Sequence, residues 1–199
     1  MINKKAIIFS VFAWSIILLI SSCTNDNIPR EKAYQRFYFP AKKYKAFTSE
    51  CGFKFEVPTY VVIENKDSFR NQRLVGDSCW FNIVYPELNA KIHFSYKYYD
   101  NQDALTHLLE DSYKLTSKHM TKASYIRDSV IDLPELKGLI YTVGGNAASD
   151  KQFILTDYKH QFIRGAIYFA CTPNYDSLRP AIEFVDKDIY HMINTFKFQ

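Results

Sequence analysis

The sequence predicts an α+β domain with a mainly antiparallel sheet and two principal helices. Three observations carry that expectation. Short segments in which apolar and polar residues alternate fall into two separate runs. Between the runs the apolar spacing changes to that of a helix, and a second helical stripe closes the chain. Strands in two runs, split by one helix and closed by another, fit helices packed on an antiparallel sheet.

The elements follow in order. From Tyr34 to Glu64 the pattern is extended: Phe53, Phe55 and Val57 alternate with Lys54 and Glu56, and Tyr60 to Glu64 is a second short run after Pro58. Residues Lys66 to Asp77 are polar and aperiodic and read as a loop. Trp80 to Tyr85 is a strand closed by Pro86, and Ile92, Phe94, Tyr96 and Tyr98 then alternate against Lys91, His93, Ser95 and Lys97. Leu105, Leu108, Leu109 and Leu115 place a helix over Asp103 to Met120, with Asp100, Asn101 or Asp103 as its cap. Strands return at Tyr125 to Ile131, Leu139 to Val143, Gln152 to Thr156 and Phe162 to Ala170. Turns are expected at Gly145-Asn146 and at Asp157-Tyr158-Lys159. The last helix is capped by Asp176 or Ser177 and carries Pro180 in its first turn. Its apolar stripe is Ile182, Val185, Ile189, Ile193 and Phe196.

The N-terminus is a targeting segment. Lys4 and Lys5 precede an apolar run from Ala6 to Ile20, shorter than the roughly twenty residues a membrane-spanning helix needs. Ile20-Ser21-Ser22-Cys23 then resembles a lipobox, so residues 1–22 read as a lipoprotein signal peptide and Cys23 as the lipidated residue. Residues 23–33 are a polar tether and 34–199 a single domain. Loss of the leader takes the formal charge from +4 to +2, too little to imply a polyanionic partner, and the compartment excludes nucleic acid. Cys51, Cys79 and Cys171 remain; two of them can pair in three ways, although the favoured reading is three buried, reduced side chains.

No catalytic constellation stands out. The segment "VGGNAASDKQFILTD", Val143 to Asp157, has the glycines of neither a Walker nor a dinucleotide loop. Ser149 lacks a nucleophile elbow, and the nearest histidine in sequence is His160. The histidines His93, His107, His119, His160 and His191 have no zinc spacing, and no cofactor motif is present. Gly144-Gly145-Asn146 reads instead as a hairpin turn, the glycines supplying positive φ and Asn146 tolerating it. Trp80, Tyr96, Tyr98 and Tyr99 offer an aromatic groove for sugar, peptide or lipid, set against the plainer reading as sheet core and edge. Lys42, Lys43 and Lys45, near the tether, read as a solvated face in preference to one that meets anionic head groups.

Longer segments carry a resemblance. "GAIYFAC", a Pro-Asn-Tyr turn and a helix ending in "NTFKF" look like the Mog1/PsbP-like fold, which implies a sandwich. "YTVGGNAASDKQFILTD" with "GAIYFACTPNYDSLRPAIEFVDKDIYHMI", together with "RFYFPAKKYKAF" and "WFNIVYPELNAKIHFSYK", resembles the gliding-motility lipoprotein GldD family of Bacteroidetes. That resemblance implies a non-enzymatic envelope component that supports gliding or type IX protein secretion through contacts with other envelope proteins. The matched motif positions are Gly144, Gly145, Asn146, Gln152, Asn174, Tyr175 and Asp176, each structural or part of an interaction surface. In lipoproteins of this group, acidic residues just after the cysteine resemble a surface-export signal. Asp26 stands alone there, which favours the periplasmic face of the outer membrane. The alternative is a periplasmic ligand-binding lipoprotein that uses the aromatic strand face.

Overall fold

The computed structural model describes residues 36–65 and 78–199. The leader, Cys23, the tether and the loop expected over 66–77 lie outside the described residues. Among the described residues the strands make two antiparallel sheets. A small one has the order β1-β2-β10, formed by β1 (Tyr44–Ser49), β2 (Phe53–Pro58) and β10 (Lys197–Phe198). The large one has the order β3-β4-β5-β9-β8-β7-β6, formed by β3 (Val62–Asn65), β4 (Ser78–Tyr85), β5 (Ala90–Tyr98), β6 (Ala123–Leu133), β7 (Leu136–Gly145), β8 (Lys151–Thr156) and β9 (Gln161–Phe169). With α1 (Gln102–Ser117) and α2 (Tyr175–Thr195), the expected α+β architecture is present.

Alternation sets the faces. Phe81 and Ile83 pair with Phe94 and Ile92, which pair onward with Gly165 and Ile167, and Phe153 lies opposite Gly165. These inner-face residues join Phe53, Phe55 and Val57 of β2 and Ala181, Val185, Ile189, Met192 and Ile193 of α2 in one core. Phe196, just past α2, stacks on Phe53 and Phe55 at 5.5 and 5.6 Å. The outer face is covered by α1, whose Leu105, Leu108 and Leu109 pack on Tyr99, Ile154, Phe162 and Leu139.

Several expectations need correction. Leu115 is exposed, and the C-terminal part of α1 buries Ser112 and Thr116 instead, because it covers a polar stretch of sheet. The helix gives way to a 3₁₀ turn over Lys118–Thr121. Of the three candidate caps it is Asn101 that accepts the Ala104 N–H, at 2.9 Å. Helix α2 is capped by neither Asp176 nor Ser177: Asn174 holds the extended cap position and its side chain accepts the Ser177 N–H. Pro180 therefore falls in the second turn, where the acceptor left without its N–H is the carbonyl of exposed Asp176, which water can serve. The reduced-cysteine reading also fails, since Cys51 and Cys79 form a disulfide across 28 residues that ties the β1–β2 turn to β4. Cys171 is free and exposed. The two-residue strand β10 is too short to show alternation in the sequence.

Candidate functional site

The β7–β8 hairpin and the start of α2 meet at one end of the fold. Val143 N–H donates to the Asp150 carbonyl at 2.8 Å, closing the loop 146–150. Of the Gly-Gly-Asn run only Gly145 has a positive φ, +98°, which corrects the reading that gave both glycines and Asn146 that role. Gly144 is needed for another reason: a Cβ there would lie 2.2 Å from the ring of Tyr125 on β6. Asn146 serves as an acceptor, its Oδ1 receiving the Tyr175 backbone N–H at 3.0 Å. The turn residue thus holds the first residue of α2, next to the cap made by Asn174.

Five of the seven sequence-derived positions, Gly144, Gly145, Asn146, Asn174 and Tyr175, are brought together in this way. Asp176 stands beside them, exposed in the first turn of α2 and suitably charged for a helix N-terminus. Asn146, Asn174 and Asp176 give the junction an exposed polar rim. Ala147, Ser149 and Asp150 lie buried behind it. Burial pushes the Asp150 carboxyl up to about 7, against a hydrogen bond with its own backbone. Burial, followed by the adjoining Tyr125 hydroxyl, also raises Tyr175.

Gln152 sits elsewhere. It is buried on the outer face, where its Oε1 accepts from Thr116 Oγ1 of α1 at 3.1 Å and from the Arg164 guanidinium. Its Nε2 is buried with no partner among the described residues. Its role is to join β8, β9 and the end of α1. On the opposite face of β8, buried Lys151 forms an ion pair with the part-exposed Asp186 of α2.

One polar cluster left no motif in the sequence. Asp188 of α2 is fully buried, and its carboxylate accepts from Tyr44 at 2.9 Å and from Tyr60 at 2.7 Å and pairs with Lys42 at 2.8 Å. Lys42 also donates to the Phe184 carbonyl at 2.8 Å and lies over the Phe184 ring. Burial first, and then Asp188, pushes Tyr44 up to about 12 and Tyr60 higher still. The i+3/i+4 apolar spacing of α2 brackets Asp188 between Val185 and Ile189, and that is the one signal that could have flagged it.

The chemistry such groups can perform is limited. Ser149 is fully buried and donates to the Lys151 carbonyl at 3.4 Å, whereas His160 lies at the other end of β8, stacked on Tyr98. They cannot form a catalytic pair. Among the described residues no group of three or more His, Cys, Asp or Glu side chains is placed to hold a metal. The aromatic groove is divided: Tyr96 is in the inner core, Tyr99 is under α1, and Trp80 is exposed on the outer face. A cavity of ≈ 10 Å³ between β8, β9 and α2 has room for about one water. What the junction offers is a shaped surface.

No curated protein matches the chain. The family model for the gliding motility lipoprotein GldD matches residues 24–198, and the chain belongs to that family.

Proposed function

We propose that this family member is a non-enzymatic lipoprotein, anchored through Cys23 on the periplasmic face of the outer membrane, that supports gliding and type IX protein secretion by protein–protein contact. The observation that carries the reading is the family match over nearly the whole mature chain. The geometry supports it: the two segments that most resemble the family close on each other through Asn146 and Tyr175 and leave a polar rim. A Mog1/PsbP-like sandwich is the fold we assign to that scaffold.

The test is a gene deletion complemented with the parent, with Cys23→Ala and with Asp176→Arg. Loss of surface spreading and of secreted type IX cargo is expected in the deletion and in both variants, with Asp176→Arg folding normally. A deletion strain that still spreads and secretes would sink the proposal. Cross-linking from position 176 should then trap a defined envelope protein.

A further inference from the structure

Residues 36–43 enter the fold as an irregular strap laid on α2. Phe39 stacks on Phe184 at 4.5 Å and Phe37 on Phe39 at 5.8 Å, while Lys42 reaches Asp188. The strap is therefore held at a fixed place on the domain, yet it leaves large apolar surface uncovered. Tyr38 is 81% exposed, more than any other large hydrophobic residue among those described, and Phe39 is 39% exposed.

Exposed basic side chains predominate around it. Arg36, Lys43, Lys45 and, on α2, Lys187 are exposed. The nearby acids each have a partner: Glu56 with His191 at 2.6 Å, Glu183 with Arg179 at 3.8 Å, Asp186 with Lys151, and Asp188 with Lys42 of the strap. Exposed aromatic rings flanked by basic side chains that form no ion pair among the described residues are the composition of a surface that sits among lipid head groups.

Chain length supplies the second argument. Twelve residues, 24–35, separate Cys23 from Arg36. Even fully extended, that many residues span no more than about 45 Å. The strap is where the tether joins the domain, so it is the part of the domain held closest to the bilayer, at high effective concentration.

We infer that the strap is a membrane contact in which Tyr38 and Phe39 enter the head-group layer and Arg36, Lys43 and Lys45 meet lipid phosphates. The inference rests on lipidation of Cys23. It sets the orientation of the domain: α2 faces the bilayer, and the outer face of the large sheet, with α1 and Trp80, is turned away from it.

The experiment uses the full lipidated protein in phosphatidylethanolamine vesicles, with or without phosphatidylglycerol, carrying brominated acyl chains. Trp80 is the sole tryptophan after residue 23 and serves as the reference for the far face. Tyr38→Trp is expected to be quenched several-fold more than Trp80 in the parent protein. Arg36→Glu with Lys43→Glu and Lys45→Glu, which leaves the Lys42 pair untouched, should cut that quenching in vesicles containing phosphatidylglycerol. Protein that floats with the vesicles but shows no extra quenching at position 38 overturns the contact and leaves the anchor standing. Unchanged quenching in the triple variant overturns the role of the basic residues. Protein that does not float removes the anchor, and the contact with it.

Discussion

Asp188→Ala tests the cluster that fastens α2 to the N-terminal part of the domain. The substitution leaves the Lys42 ammonium and the Tyr44 and Tyr60 hydroxyls without their common acceptor. Truncating one partner of a buried, hydrogen-bonded charge pair costs about 3–5 kcal/mol. Asp188 is fully buried, but the Lys42 side chain is 26% exposed and can turn toward water, so the lower end applies. A loss of about 3 kcal/mol lowers the Tm of a domain this size by about 6–12 °C. Urea unfolding followed by circular dichroism reads it as a lower midpoint at unchanged slope. Combining Asp188→Ala with Lys42→Met should cost clearly less than the two changes added together, because each removes the same pair. A single-variant loss under about 0.5 kcal/mol, the range of an ordinary surface change, would refute the claim that this cluster secures the helix.

Two further predictions concern the junction. Gly145→Ala should cost about 3 kcal/mol or more, because a positive φ combines with a Cβ 2.6 Å from the backbone nitrogen of Ser124; Gly144→Ala meets, as its nearest obstacle, the half-exposed Tyr125 ring, which can turn, and should cost about 1 kcal/mol. Equal losses in thermal unfolding would show that backbone conformation is not what Gly145 supplies. Asp150 is raised from 3.8 to about 7 by burial, so the folded protein keeps a proton that the unfolded chain releases, and stability falls as pH rises from about 4 through about 7. Asp150→Asn should remove that fall, matching the parent at pH 4 and exceeding it by about 4 kcal/mol at pH 8; a parent that gains stability over this range relative to the variant would contradict the burial argument.

What was legible in the sequence was what repeats. The alternation of Ile92, Phe94 and Tyr96 gave β5, and the spacing of Val185, Ile189 and Ile193 gave α2, because one-sided burial imposes a period on each element. Endpoints were harder. Asp176, Ser177 and Asn174 are all competent caps, and only the path of the chain into the helix selects Asn174. Leu115 misled for a related reason: the second half of α1 meets the sheet through Ser112 and Thr116 rather than through leucines, and periodicity does not reveal where a partner surface turns polar. The disulfide and the Asp188 cluster join residues 28 to 146 positions apart, and no local pattern encodes such pairings.

The recognisable motif and the binding determinant need not be the same residues. Gly144 and Gly145 are constrained by what surrounds them, a Tyr125 ring and the Ser124 backbone, and Asn146 by the Tyr175 N–H it must accept. Those requirements are internal to the fold and hold whether or not a partner is bound. Asp176 is different: it is exposed, its side chain does not cap α2, and its charge suits the helix N-terminus at only a modest gain of about 0.3–1 kcal/mol. A substitution there can therefore abolish a contact without unfolding the domain, whereas one at Gly145 cannot. If Asp176→Arg proved as destabilising as Gly145→Ala, that separation would fail, and the junction would be scaffold alone.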